Sequence, residues 1–221
     1  MKRWVAGLLT AVFVAGCSSI PFQETTHVSM GSAEPGAIVE HFKGSIPESF
    51  QMLSTVVFQY NWDKLSGIGY IDINTREKVF TVVCINPMGF KLFELSGDKD
   101  GVVSHHALEE LAKKGNVGAA VGEDIKRIYF DLVPSPEAEV IKKKYQIVFR
   151  QPFGVGIIEY IFAGADGYLI EKSYYEEGTR IWQVSFYEYL QKNGKAYPGG
   201  IVLKNCKYGY SLIIKQKEIL N

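Results

Sequence analysis

Apolar and polar residues alternate through much of the chain. Met52, Ser54, Val56, Phe58 and Tyr60 fall at every second position, which places them on one face of a strand. Strands over 65–73 and 78–85 follow, set apart by the turn-forming runs Asn-Trp-Asp and Asn-Thr-Arg-Glu. Asn86-Pro87-Met88-Gly89 is a further turn, 90–95 returns from it, and Gly97-Asp98-Lys99-Asp100-Gly101 closes the meander. The period then changes. A helix is predicted over 104–114 with Ser104 as N-cap and Leu108 and Leu111 on one face. Gly115, Gly118 and Gly122 read as a loose connection to a second helix over 123–132, whose apolar stripe is Ile125, Ile128, Tyr129 and Leu132. Pro134 and Pro136 end it. From Tyr145 the period of two resumes, with strands predicted over 145–150, 155–162, 168–175, 179–189, 200–205 and 208–217. Ala165-Asp166-Gly167 and Glu176-Glu177-Gly178 are hairpin turns between them. A short helix is expected before Pro47. About ten antiparallel strands interrupted once by a helical pair predict a mainly β, α+β fold: one large curved antiparallel sheet with helices against its concave face.

The first residues follow a different logic. Met1-Lys2-Arg3 is basic, the run from Trp4 to Val14 is apolar but too short to span a bilayer, and Val14-Ala15-Gly16-Cys17 ends it. Small residues before a cysteine suit signal peptidase II, and the thiol of Cys17 takes the diacylglycerol. Residues 1–16 are therefore expected as a lipoprotein signal peptide, with Cys17 as the lipidation site. This stretch resembles the bacterial lipobox, and Ser18 after the cysteine implies sorting to the outer membrane. Residues 17–36, rich in Ser, Thr, Gly and Pro, are expected as a lipidated tether, and 37–221 as a single domain.

Composition adds exclusions. Lys2 and Arg3 lie in the signal, so 24 basic residues become 22 against 24 acidic, a balance that gives no electrostatic case for nucleic acid. Thirteen Tyr and thirteen Phe suit sheets with one covered face. With Cys17 acylated, Cys84 and Cys206 remain. An oxidising periplasm invites a disulfide between them, and two small hydrophobes on separate strands is the plainer reading. His105, His106, Glu109 and Glu110 hold donor atoms for a metal, although a solvated helix start explains them better. The chain has no G-x-S-x-G, phosphate-binding loop, zincin motif or C-x-x-C, so nothing points to catalysis, a cofactor or a metal.

Several short motifs, in order, resemble the LolA/LolB family of periplasmic lipoprotein carriers and outer-membrane lipoprotein receptors. The run from Thr81 to Leu95, TVVCINPMGFKLFEL, is similar to that family's two strands joined by an Asn-Pro-Leu-Gly turn. Asp124-Ile125-Lys126-Arg127-Ile128 followed by Leu132-Val133-Pro134 resembles the helix before its second set of strands. Trp182-Gln183-Val184-Ser185-Phe186 with Tyr189 resembles its Trp-x-Val-x-aromatic strand, and Tyr197-Pro198 leading to Ile201-Val202-Leu203 its closing hairpin. The resemblance implies an open half-barrel with a helical lid over an apolar cavity that holds acyl chains. It implies a membrane-insertion turn at Met88, flanked by Pro87 and Gly89, and a periplasmic LolA-like carrier as partner. Trp62, Tyr160, Phe162, Trp182, Val184, Phe186 and Tyr210 are the candidates to line the cavity, where each buried methylene of a lipid contributes roughly 0.8 kcal/mol. The alternative function is a lipid-anchored structural subunit of an envelope assembly with no lipid cargo.

Overall fold

The computed structural model describes residues 20–61, 63–108 and 117–220. Twelve strands form one sheet in the order β5-β4-β3-β2-β1-β12-β11-β10-β9-β8-β7-β6. In chain order they are β1 Ser49–Tyr60, β2 Asp63–Asn74, β3 Val79–Ile85, β4 Lys91–Gly97, β5 Val102–Ala107, β6 Glu139–Lys142, β7 Gln146–Phe153, β8 Gly156–Ala163, β9 Tyr168–Glu176, β10 Thr179–Lys192, β11 Lys195–Asn205 and β12 Tyr210–Ile219. The helices among the described residues are α1, Pro35–Ser45, and α2, Val117–Tyr129.

Every neighbouring pair is antiparallel, and the first strand pairs with the last, so Tyr60 lies opposite Tyr210. Odd-numbered strands therefore run toward one end of the sheet, here called the upper rim, and even-numbered strands toward the lower rim. The turns after β1, β3, β7, β9 and β11 lie on the upper rim. The turns after β2, β4, β6, β8 and β10 lie on the lower. The sheet is open: β5 and β6, consecutive in sequence, sit at opposite edges and do not pair. Residues 108–138 must travel from one edge to the other, and they carry α2 with them.

Burial follows the alternation. Met52, Ser54 and Val56 face inward from β1, and Trp182, Val184 and Phe186 from β10. On β12 the inward residues are Tyr210, Leu212 and Ile214. The helices cover this same face. Phe42 of α1 meets Phe162 edge-on at 5.4 Å and also touches Tyr168 and Tyr189. From α2, Val121, Ile125 and Ile128 join the same core.

Three local expectations are corrected, and one strand, β6, was not expected. Residues 104–107 are strand: Ser104 pairs with Leu95 and His106 with Glu94, so β4's free edge overrides the helical character of the sequence that follows. The rest of that expected helix, 109–114, lies outside the described residues. Helix α2 runs over Val117–Tyr129 rather than 123–132, and Gly122 lies inside it, where a Cβ would lie 2.4 Å from Val102. The four-residue edge strand β6 is too short to show an alternation. The closing strand β11 starts at Lys195, with Pro198 inside it.

The expected tether is partly held down. Phe22 stacks on Tyr187 at 5.4 Å over Gly200, Met30 donates its backbone N–H to the Lys144 carbonyl, and both side chains are buried.

Candidate functional site

The covered face of the sheet and the helix across it form the most distinctive region. Helix α2 brings Asp124, fully buried, to the upper ends of β11 and β12. One carboxylate oxygen accepts a short hydrogen bond from the Tyr210 hydroxyl, and the other accepts from Arg127 Nη1 at 2.6 Å. Asn205 Nδ2 donates to the Tyr210 oxygen at 3.0 Å. Burial pushes the Asp124 carboxyl above the usual range, while Tyr210 and Arg127 pull it back. The guanidinium of Arg127 stands 5.6 Å from the Trp182 ring centre.

The C-terminal end of α2 is held by a second device. Lys172, inward on β9 and buried, donates to the Phe130 carbonyl at 2.7 Å and the Arg127 carbonyl at 3.2 Å. These are the carbonyls that a helix end leaves without intrahelical partners. The same ammonium lies 5.8 Å from Trp182 and 5.9 Å from Tyr160. Polar contacts thus tie α2 to β9, β11 and β12. Apolar packing does the same at the other edge, where a Cβ on Gly118 would lie 3.2 Å from that of Ser104.

Beneath α2 the interior is closely filled. Tyr160, Phe162, Trp182, Val184, Phe186 and Tyr210 are all buried in the one core. The interior includes two small apolar pockets, each of about 30 Å³, room for no more than a few waters. The upper pocket is lined by Val56, Phe58, Leu92, Phe93 and Val121, among others. The lower one lies between α1 and the end of α2, lined by Ile46, Ile128, Tyr129, Phe186 and Tyr197, among others. Of the residues expected to line a cavity, Phe186 borders the lower of these two pockets and the other five described ones border neither.

The β3–β4 hairpin projects from the upper rim. Asn86 Oδ1 accepts from the backbone N–H of Met88 at 3.0 Å and of Phe90 at 2.9 Å, and the Asn86 carbonyl accepts from Gly89. Gly89 has φ of +87°, a conformation other residues resist. This local bonding fixes the turn without using the Met88 side chain, which is 78% exposed.

No family model and no curated protein matches the sequence. Solved structures do. A LolA superfamily protein from Nitrosomonas europaea superposes with a TM-score of 0.55 at 9% identity, over 83% of this chain and 91% of that one. The chain has a LolA-type fold. A lipoprotein-sorting domain, named as an outer membrane one, from Vibrio parahaemolyticus matches with a TM-score of 0.52 at 10% identity, over 83% of this chain and 90% of that one.

Within the LolA-type fold the sequence-derived sites fall in three groups. Pro87, Met88 and Gly89 form the exposed upper turn. Tyr160, Phe162, Trp182, Val184, Phe186 and Tyr210 share the interior beneath the helices. Cys17 and Trp62 lie outside the described residues. Cys84 is buried with its thiol pushed up to about 11 by burial, Cys206 is exposed on the upper rim, and the two are free thiols. Among the described residues no three metal-binding side chains gather. His105 instead meets Ser96 Oγ and His106 the Lys91 carbonyl. No described helix is long and apolar enough to cross a membrane. Sequence reasoning missed Asp124 and Lys172. The available signal was position: Asp124 sits beside Ile125 on the stripe of α2, and Lys172 falls at an inward position two residues before Tyr174.

Proposed function

We propose that this protein is an acylated lipoprotein of the cell envelope, anchored in the outer membrane through Cys17, which takes acyl chains between α2 and the sheet. Its clients would be lipoproteins received from a periplasmic LolA-like carrier and passed into the membrane. The observation that carries the reading is Met88. An apolar side chain 78% exposed on a turn that does not need it gains nothing from folding, and gains on entering lipid. The Vibrio parahaemolyticus structure, named for lipoprotein sorting, shares the fold and supports the direction of the reading, which concerns binding rather than catalysis.

Cargo would enter by displacement of α2, since the pockets at its two ends are far smaller than an acyl chain. The closed, filled interior is also what favours the second reading, a lipid-anchored envelope subunit without cargo.

The test is delivery of a bound client lipoprotein to liposomes by wild type, Met88→Leu and Met88→Glu. Met88→Leu keeps apolar size and delivers normally. Met88→Glu folds and binds acyl chains but delivers about ten- to a hundredfold more slowly, because a carboxylate in the membrane costs on the order of 1–3 kcal/mol. A Met88→Glu protein that delivers at the wild-type rate refutes the insertion role. Absence of delivery by all three proteins refutes the transfer function.

A further inference from the structure

The β7–β8 hairpin repeats, at a second place on the upper rim, the construction of the β3–β4 hairpin. From Gln151 to Ile158 it carries no charge. Val155 is 89% exposed, with Phe153 and Ile157 beside it exposed as well. A Cβ on Gly156 would lie 2.1 Å from the Tyr175 carbonyl, so glycine is required to bring the strand that close, and Val155 is left projecting from a narrow tip. Directly below, Arg150 and Glu159 sit opposite each other and pair at 2.5 Å. The β3–β4 hairpin has the same order of parts. It is uncharged from Val79 to Phe90, exposes Met88 and Phe90 at its tip, and pairs Lys91 with Glu94 at 2.5 Å beneath. One exposed hydrophobe on a surface is ordinary. Two uncharged apolar tips on one end, each above an internally neutralised ion pair, suit a surface that leaves water without carrying an unpaired charge.

We infer that the β7–β8 tip is a second lipid-contacting element, so that the upper rim rests on the bilayer interface through two hairpins rather than one. The inference rests on the proposed acylation of Cys17 for its membrane. Chain length then restricts the geometry. Phe22 is five residue steps from Cys17, a reach of about 17 Å at full extension. Phe22 is held over Gly200, and β11 needs five further residues, about 17 Å, to reach Asn205 at the upper rim. The bilayer that holds Cys17 is thus within reach of either rim and no farther. The hairpin tips choose between them: both rims expose charges, Glu177 and Lys207 above and Arg76, Glu77, Asp98, Lys99 and Asp100 below, but the two uncharged apolar tips, at Met88 and Val155, lie on the upper rim.

The test uses the full acylated chain in liposomes of phosphatidylethanolamine and phosphatidylglycerol. Cys206→Ser removes the exposed thiol, and single Val155→Cys, Met88→Cys or Asp166→Cys replacements take an environment-sensitive fluorophore. Lipids carrying a shallow nitroxide serve as quenchers. The label at 155 is expected to shift to the blue and lose most of its emission to the nitroxide, while the label at 166 on the lower rim stays aqueous. A label at 155 that behaves like the one at 166 overturns the inference, including the case in which the tip is covered by a protein partner. If 88 is quenched and 155 is not, the second tip falls and the proposed function stands. If 155 is quenched and 88 is not, the second tip stands and the Met88 insertion role falls.

Discussion

On the lower rim the β4–β5 turn is Asp98-Lys99-Asp100-Gly101, and on the upper rim the β3–β4 turn is Asn86-Pro87-Met88-Gly89. The two are closed in the same way. Asp98 Oδ1 accepts from the backbone N–H groups of Asp100 and Gly101, and Asn86 Oδ1 from those of Met88 and Phe90. In both, a short polar side chain at the turn's first residue satisfies the backbone, and the residues at the tip are left free. Folding therefore does not dictate whether the tip is Lys-Asp or Pro-Met. The rest of the rims follow suit in part. Arg76, Glu77, Lys143, Lys144 and Asp166 are exposed below, whereas Phe90, Phe153, Val155 and Tyr208 are exposed above, beside the charged Glu177 and Lys207. Where structure leaves a choice open and two hairpin tips on one end take the apolar option, the cause lies in what those tips meet.

The comparison is sharpest if the upper rim is also where α2 opens. Locking α2 to the sheet tests that with the largest effect. Ser104→Cys with Gly118→Cys, in a Cys206→Ser background, places two Cβ atoms about as close as a disulfide needs. Oxidised, this protein is expected to lose binding of a fluorescent acyl probe by about a hundredfold, about 2.8 kcal/mol, and to regain it on reduction. Equal binding in both redox states would mean that cargo does not need α2 to move.

Filling one pocket at a time separates the two ends. Val121→Phe occupies the upper pocket and is expected to weaken acyl-probe binding about tenfold, or about 1.4 kcal/mol. Ala196→Val intrudes on the lower pocket and should leave the affinity unchanged, with a stability cost of about 1–3 kcal/mol as for other overpacked cores. Titration of the probe into each protein checks both. The reverse ranking would place the mouth on the charged rim and break the link between apolar tips and cargo.

Much of this was legible in the sequence, for identifiable reasons. Strong alternation marked β1 to β4 and β7 to β12, and the glycine turns at 164–167 and 176–178 marked their joints. The edges were not legible. The sequence of β5 runs into residues with helical character, and only pairing with β4 makes 102–107 a strand. Gly118 and Gly122 read as a hinge because their tight packing on Ser104 and Val102 is a tertiary fact. The Met88 turn could be read locally because its bonds are local. The ties of α2 could not, since Asp124 and Tyr210 are 86 residues apart.

Those ties predict a smaller effect. Tyr210→Phe removes the hydroxyl that donates to Asp124 and leaves a buried carboxylate oxygen short of a partner. Urea unfolding should show a loss of about 1–3 kcal/mol. Because the loss falls on the closed position of α2, acyl-probe uptake should become faster rather than slower. Slower uptake would show that this network shapes the binding site instead of closing it.

The smallest effect concerns Lys172 and is read as a slope against pH. Burial pushes its ammonium down to about 7, with Lys78 and Arg127 acting in the same direction and Asp131 opposing. The unfolded chain holds the proton up to the ordinary lysine range, near 10.5. Below about pH 7 both states are protonated, and Lys172 adds no slope. Between about 7 and 10.5 the unfolded state binds a proton that the folded state has released, so the contribution of Lys172 makes stability rise with pH, at most about 1.4 kcal/mol per unit. Lys172→Met abolishes this slope. It also leaves the Phe130 and Arg127 carbonyls without their donor, which shifts the whole curve without tilting it. The measurement is urea unfolding of wild type and Lys172→Met from pH 6 to 9, and the readout is the difference between the two curves. That difference should be constant from 6 to 7 and then move in favour of the wild type. A flat difference to pH 9 would mean that the ammonium stays charged, held by the two carbonyls and the faces of Trp182 and Tyr160. Lys172 would then be a permanent positive cap on α2 rather than a group that loses its charge as the pH rises.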